Sequence, residues 1–457
     1  MKKITDRVSP TQIIMMGFLA LILFGTLLLM LPVASAAGEA TNFTDALFTA
    51  TSAVCVTGLM TLPTFSHWSL LGQIILLILI QVGGLGIIAT TFIIFVILKK
   101  RIGMRERILI HEAYALDTFQ GLGKVILRIF KGALLVELTG AVLYSFQFIP
   151  EFGVAKGIWF SVFHAVSAFC NAGIDLLSSS SLCGYVDNPL VNFTTMFLIV
   201  TGGIGFCVWW DIIRVVKNAV KIKRFKGQLF HRLTVHSKLA IVTTAVLLGG
   251  GTLLLLILEW NNNATIGNMS VGQKIMASMF QAVTDRTAGF LTIPQENFTD
   301  AGMIVNLMLM FIGGSPAGTA GGVKTTTIAM VVLTVAAVIK GRKDTEIFKR
   351  SISAENIRTG LTVISISFIV LISGILLLSV TEQAPLADII YEATSALATV
   401  GLSRSFTGNL HTVGKFIIIL MMYIGRIGPI TMAFALRLKN DNGTCMRKLA
   451  ESKIIVG

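Results

Sequence analysis

The sequence predicts an all-α polytopic membrane protein: four repeats of outer helix, pore loop and inner helix. That is eight transmembrane helices plus four re-entrant pore helices around a pseudo-fourfold pore. Three observations carry the prediction. First, the 457 residues are 54% hydrophobic and only 13% charged, about half the charged share of a soluble domain. Second, apolar runs such as Ile13–Leu31 reach the roughly 20 residues that a bilayer-spanning helix needs. Third, one short text returns four times, as Ala50–Leu59 (ATSAVCVTGL), Ala165–Ile174 (AVSAFCNAGI), Gln281–Phe290 (QAVTDRTAGF) and Ala393–Leu402 (ATSALATVGL). Its glycines, Gly58, Gly173, Gly289 and Gly401, are 115, 116 and 112 residues apart. A near-constant period with the same local text marks an internal repeat. Ser52, Ser167 and Ser395 share the column six residues before the glycine.

Taken in order, repeat one covers residues 1–110, with an outer helix Thr11–Leu31, the Gly58 loop and an inner helix Leu70–Leu98. Lys2, Lys3, the apolar run and Ala34-Ser35-Ala36 imitate a signal peptide. The run exceeds an h-region of about 7–15 residues and repeat one needs the helix, so its retention is expected. Repeat two, 111–230, has Val125–Phe148, the Gly173 loop and Val191–Val216. Repeat three, 231–350, has Leu239–Leu258, the Gly289 loop and Met303–Ile339, and repeat four, 351–457, has Leu361–Val380, the Gly401 loop, Lys415–Leu438 and a cytosolic tail. Two crossings per repeat return the chain to its starting side, so the repeats run in one sense around an axis along the membrane normal. An inverted-repeat transporter needs an odd number per half.

Net charge is +14, yet only seven of 37 Lys and Arg fall outside cytoplasmic segments: Lys156, Lys274, Arg286, Lys324, Arg404, Lys415 and Arg426. This is the positive-inside bias, not a nucleic-acid patch. Lys99-Lys100-Arg101, Lys221–Lys226 and Lys340–Arg350 are placed inside with both termini, and the pore loops enter from outside. Cys55, Cys170, Cys183, Cys207 and Cys445 lack metal-type spacing, and packing is the expected role of the first two. His111, His164 and His231 form no ligand constellation.

Before each glycine a short helical stretch is expected, such as Ala46–Val54 with Thr44-Asp45 as N-cap. A helix entering from outside aims its negative C-terminal end at the pore centre and favours a cation there. Glycine permits the dihedrals that turn extended backbone toward the axis, where rings of carbonyls replace an alkali cation's hydration shell. The candidate filter is Val56-Thr57-Gly58, Asn171-Ala172-Gly173, Thr287-Ala288-Gly289 and Thr399-Val400-Gly401.

A second landmark follows: Gly83-Gly84-Leu85-Gly86, Gly202-Gly203-Ile204-Gly205, Gly313-Gly314-Ser315-Pro316 and Gly425-Arg426-Ile427-Gly428. From its first glycine to the cytosolic lysine is 16, 15 and 14 residues in repeats one, two and four, but 27 in repeat three. Met303–Ile339 as one helix would span ~55 Å, against a hydrocarbon core of about 30 Å. The excess is the glycine-rich stretch Gly313, Gly314, Ser315, Pro316, Ala317, Gly318, Thr319, Ala320, Gly321 and Gly322. It reads as an intramembrane gate, with a packed kink as the alternative. Arg426 replaces a landmark glycine inside an apolar helix and must face water, a carboxylate or loop carbonyls. Ser315 and Thr319 are its expected partners in the loop. Lys324 either acts with it or snorkels. Asp175 and Asp285 flank filter glycines as candidate cation concentrators, with a local Asp285–Arg286 ion pair as the other reading. Glu137 and Glu392 are expected in helix-packing hydrogen bonds.

DALFTATSAVCVTGL, SVFHAVSAFCNAG, FQAVTDRTAGF and YEATSALATVGL resemble the four pore loops of the Trk/Ktr/HKT superfamily of potassium transporters, over essentially the whole chain. The eight-helix length and early first helix look like the Ktr-type membrane subunit. The resemblance implies potassium bound at Gly58, Gly173, Gly289 and Gly401, a homodimer and a cytosolic nucleotide-binding regulatory ring. It also implies a cell-membrane location beside lipid and a positive residue next to the gate. Some plant relatives carry serine at the first filter glycine, associated with sodium selectivity, and Gly58 supports potassium. Sodium dependence stays open. The expected function is therefore potassium uptake driven by the membrane potential, with no organic cofactor. A cation-coupled secondary transporter would call for inverted repeats or paired intramembrane carboxylates. A polytopic enzyme would call for clustered His, Asp, Glu or Ser on one face, and no GxxxxGK[ST] P-loop occurs.

Overall fold

The computed structural model describes residues 10–86, 122–178, 180–221 and 229–428. The inner-helix segment 87–98, the connectors 99–107 and 222–228, His111, Leu438, Cys445 and the tail 437–457 lie outside the described residues.

The protein is predominantly helical. In chain order the helices are α1 (Pro10–Leu29), α2 (Phe43–Cys55), α3 (Leu70–Leu85), α4 (Leu122–Phe152), α5 (Val154–Cys170), α6 (Pro189–Gly203) and α7 (Phe206–Lys221). They continue as α8 (Val235–Glu259), α9 (Val271–Thr284), α10 (Asp300–Phe311), α11 (Thr325–Ile339), α12 (Ala354–Thr381), α13 (Leu386–Ala398) and α14 (Thr412–Ile427). A two-residue hairpin pairs Glu346–Ile347 with Arg350–Ser351 after α11. Its loop residues Phe348 and Lys349 both have positive φ, the turn that matches strand twist.

Caps set many helix starts. Asn188, Thr234, Thr299 and Ser353 each accept a backbone N–H three residues on, at 3.2, 3.2, 3.1 and 3.4 Å, offsetting donors the helix leaves unpaired. The expected Thr44-Asp45 cap is not used. Helix α2 begins at Phe43 with Asn42 before it, and Asp45 instead binds Lys415 of α14 at 2.7 Å.

Among the described residues three helices are each long and apolar enough to cross a bilayer, over Thr11–Leu29, Val235–Glu259 and Ala354–Thr381. Their outer faces carry exposed Phe24, Leu27, Val246, Ile257, Phe368 and Val380, as lipid requires. Between apolar helices in lipid, close approach replaces the hydrophobic effect as the packing force. Gly25, Gly140, Gly251 and Gly374, on α1, α4, α8 and α12, supply it. A Cβ at the first three would fall within 2.6–2.7 Å of Leu79, Leu198 and Leu309 on α3, α6 and α10, and Gly374 faces Met421 on α14 in the same way.

The expected continuous inner helices are a correction. Val191–Val216 is two helices, α6 and α7, bent by 95°. Helices α3 and α14 stop at Leu85 and Ile427, followed by Gly86 and Gly428 with φ of 88° and 93°; Gly205 at the α6–α7 bend has 96°. The glycine at the landmark's fourth position thus ends α3 and α14 and lies at the α6–α7 bend, each time with a positive φ that only glycine adopts freely. Pro316 holds that column in repeat three, where α10 ends at Phe311 and α11 begins at Thr325. Among the described residues the chain resumes as a helix after the landmark in repeats two and three, at once as α7 and only at Thr325 as α11.

Candidate functional site

The four candidate filter glycines lie side by side. A Cβ placed on Gly58 would sit 2.6 Å from the carbonyl oxygen of Ala172; on Gly173, 2.6 Å from that of Ala288; on Gly289, 2.6 Å from that of Val400. Gly401 closes the circle against the carbonyl of Thr57. Each glycine therefore faces the carbonyl of the residue before the next glycine around the ring. A Cβ at any of the four would press on a backbone oxygen.

The backbone that forms the ring is strained in the same way four times. Two residues before each glycine stand Val56, Asn171, Thr287 and Thr399, with φ of 56°, 60°, 67° and 53°. The glycines follow at 100°, 63°, 81° and 95°. The left-handed region disfavours ordinary L-residues by roughly 1–2 kcal/mol each, and Val56, Thr287 and Thr399 are β-branched, the class that suits it least. Strain repeated at one column is a signature of a functional backbone conformation.

Local packing holds that conformation. Helices α2, α5, α9 and α13 point their C-terminal ends at the ring. In three of them the next N–H caps the helix: Thr57 on Ser52, Ala172 on Ser167 and Val400 on Ser395, each at 2.8 Å. The serine side chains explain the serine column. Ser52 and Ser395 accept the filter glycine's own N–H at 3.0 and 3.1 Å, and Ser167 accepts from Ile174 at 3.1 Å. Repeat three has Val283 there and uses another device. Thr284 donates to the Phe290 carbonyl at 2.8 Å, backed by buried Gln281, Gln295 and Tyr391 bonded at 2.9 and 2.6 Å. That network was not anticipated; its members stand 14 and 96 residues apart, and only the fold brings them together.

The landmark glycines let inner helices touch these helix ends. Gly83, Gly202 and Gly425 rest on the carbonyls of Val54, Phe169 and Leu397, each four residues before a filter glycine. Gly84 rests on the Cys170 sulfur, and Cys55 is likewise buried and free.

All four glycines open onto one cavity of about 310 Å³, lined also by Thr61, Asp175, Ser403 and Thr407. Asp175 thus reaches the mouth. Asp285 does not: it is fully buried and accepts from Gln281 at 2.7 Å. Nor does it pair with Arg286, which donates to the Gly313 carbonyl at 3.2 Å. Glu137 of α4 accepts from Gln81 of α3 at 3.0 Å, a helix-packing bond; Glu392 of α13 differs from that expectation and accepts from Ser403 at 2.7 Å, on the loop that follows the ring. His164 is buried with Nδ1 2.7 Å from the Phe160 carbonyl, and Lys238 caps the His231 carbonyl.

On the opposite side of the ring from the cavity lies the stretch 313–322. Thr319 Oγ1 donates to the Phe169 carbonyl at 3.0 Å, and Gly321 abuts Thr399 and Ala398. The loop so passes across the ends of α5 and α13. Backbone bonds fix it to the α6–α7 bend: Ser315 N–H to Gly203 O at 2.8 Å, Thr319 N–H to Gly202 O at 3.1 Å and Phe206 N–H to Ala317 O at 2.9 Å. Gly318 packs on that same bend and Gly322 on Gly313, while Gly314 accepts from Thr325 N–H at 3.0 Å. Pro316 abuts Gly205.

Arg426 of α14 completes the arrangement. Its guanidinium donates to the Thr319 carbonyl and to the carbonyls of Gly83 and Gly84, the last at 3.1 Å. One side chain thus joins the loop of repeat three to the landmarks of repeats one and four. Ser315, expected to pair with it, instead bonds Thr325 Oγ1 at 2.8 Å. Lys324 turns back on its own loop and donates to the Ala320 carbonyl at 2.7 Å rather than snorkelling.

Comparison with known proteins agrees across sequence and structure. The profile of a family described as TrkH, cation transport protein, matches residues 2–446. The chain is 42% identical over 460 residues to the potassium/sodium uptake protein NtpJ of Enterococcus hirae, covering 100% of this chain and 99% of that one. It is 40% identical over 429 residues to the Ktr system potassium uptake protein B of Bacillus subtilis, covering 94% and 93%. The crystal structure of the potassium transporter TrkH from Vibrio parahaemolyticus matches with a TM-score of 0.70 over 92% of this chain and 84% of that one, at 18% identity. That last likeness is one of fold.

Proposed function

The chain belongs to the TrkH family of cation transport proteins, and we propose that it takes up potassium across the cell membrane through a channel-like pore. Four outer–pore–inner repeats surround the pore, with both termini cytoplasmic. The observation that carries the reading is the closed circle in which each filter glycine abuts its neighbour's carbonyl. The filter carbonyls replace the hydration shell of the passing potassium ion. Four helix C-termini, each carrying roughly half a negative charge, add to the field that holds the cation there. The stretch 313–322, with Lys324, is a gate on the cytoplasmic side of the filter, held shut by Arg426. Arg426 also sets a positive charge beside the path and slows cations that pass it.

Relatives named for potassium uptake, and one for potassium and sodium, support potassium as principal cargo with sodium as a second ion. The subunit works as a homodimer in lipid, under a cytosolic nucleotide-binding ring that acts on the basic inner surface. Nucleic acid has no part. Expression in cells stripped of their own potassium uptake tests this reading. Growth at low potassium should return, more strongly with a nucleotide-binding subunit present. A correctly inserted protein that restores no uptake in either condition contradicts it.

A further inference from the structure

The surface of the helix after the α6–α7 bend is sharply divided. Helix α7 carries three stripes. Val208, Asp211, Val215 and Ala219 are buried. Beside them Ile212, Val216 and Val220 form an i, i+4, i+8 apolar row that is 37%, 39% and 56% exposed. Round the helix from that row lie Arg214, Lys217 and Lys221, all exposed. Asp211, the one acidic residue of α7, is buried and paired with Arg214 at 2.5 Å.

Two contacts fix where this helix lies. Asp211 accepts the backbone N–H of Thr234 at 2.7 Å and its hydroxyl at 2.9 Å. Thr234 is the N-cap of α8, whose 25 residues are long and apolar enough to span a membrane. Helix α7 is therefore level with one end of a bilayer-spanning helix, not with its middle. The 95° bend from α6 turns it across the spanning direction, along the membrane surface. An apolar row on one side with a cationic row on another, at that depth, is the pattern of an interfacial helix.

We infer that α7 is a docking surface for anionic phospholipid headgroups: Ile212, Val216 and Val220 enter the acyl boundary, while Arg214, Lys217 and Lys221 meet the headgroups. A bilayer suits both rows at once, whereas an acidic protein face would satisfy only the second. The docking has a mechanical consequence, which rests on reading the stretch 313–322 as a gate. The N-terminus of α7 is tied to that stretch through Phe206 N–H and the Ala317 carbonyl, and the end of α6 through the carbonyls of Gly202 and Gly203. Lipid that holds α7 against the surface thereby holds the loop.

The test uses the full protein in bilayers of phosphatidylcholine with phosphatidylglycerol. Each lysine near an anionic surface favours binding about fivefold. Lys217→Gln/Lys221→Gln should lower the excess of phosphatidylglycerol retained over phosphatidylcholine about fivefold or more. Lys217→Arg/Lys221→Arg should keep it, and both variants should elute and melt as the parent does. Equal retention in parent and glutamine variant overturns the docking. So does retention lost in the arginine variant as well. Potassium flux from phosphatidylglycerol liposomes reads the second part. A glutamine variant that loses docking should shift flux at least twofold, and unchanged flux would overturn the coupling to the loop. Failure of the gate itself is seen separately, as loop shortening without effect in the parent background.

Discussion

Truncating Arg426 should raise potassium flux, and the size follows from what the guanidinium holds. It bonds the Thr319 carbonyl of the loop and the Gly83 and Gly84 carbonyls of α3. A hydrogen bond to a charged group contributes about 1.5–3 kcal/mol. Only the bond to Thr319 ties down the loop; the other two anchor the arginine. Losing it favours loop displacement by roughly 10- to 150-fold. Three neutral backbone bonds to the α6–α7 bend, the Thr319–Phe169 bond and the Arg286 bond to the Gly313 carbonyl remain, so the lower end of that range applies. Arg426→Ala should thus increase rubidium or potassium flux into liposomes about tenfold, with potassium-over-sodium preference retained. Arg426→Lys keeps the charge but loses the fork, and should fall between. The assay needs protein of native elution, with and without the regulatory partner. If such Arg426→Ala protein conducts no faster than the parent in either condition, the gate assignment is wrong.

Other outcomes follow from the same geometry. Shortening 313–322 toward the repeat-four length should raise flux while sparing selectivity; poor folding or no change in flux would favour a packed kink. Gly58→Ser puts a Cβ 2.6 Å from the Ala172 carbonyl at a φ of 100°, so competition uptake should show weaker discrimination of potassium from sodium. Equal relative uptake would remove Gly58 from the filter. Ser395→Ala leaves the Gly401 N–H without its 3.1 Å acceptor at a part-buried site, a loss of about 1 kcal/mol; selectivity in the same assay should drop, and an unaltered ratio would make the serine column incidental. Gly251→Leu collides with Leu309, whereas a Cβ at Gly249 meets nothing within 4 Å. Overpacking should cost the first about 1–3 kcal/mol and the second little, read by thermal melting in detergent.

Much of this fold could be read from the chain because the repeats carry their own register. The glycine column brings together the four positions that the structure sets side by side, whereas the landmark glycines mark the repeat without showing that Gly83, Gly202 and Gly425 rest on the helix ends. What stayed hidden was backbone conformation. Gly86, Gly205 and Gly428 stood in plain view, yet a lone glycine in an apolar run reads as a tolerated helix residue, so only the ten-residue stretch of repeat three was expected to break a helix. Val56, Thr287 and Thr399 are among the last residues one would assign a positive φ. Their conformation is imposed by the ring and not by their own preference. Asp285 and Arg286 misled for a simpler reason: neighbours in sequence do not face each other on or near a helix. Arg426 is legible as a cation needing water, a carboxylate or loop carbonyls, with Thr319 as a partner. That Gly83 and Gly84 of repeat one supply the other two carbonyls depends on the closure of the ring, which no local pattern encodes.

Anomalous scattering from crystals of the protein grown in rubidium or thallium salt tests the central claim most directly. The account predicts a peak on the axis enclosed by residues 56–58, 171–173, 287–289 and 399–401, weakened or displaced in Gly58→Ser crystals. A protein that takes up potassium yet shows its ion peaks elsewhere, with none inside that ring, would contradict it.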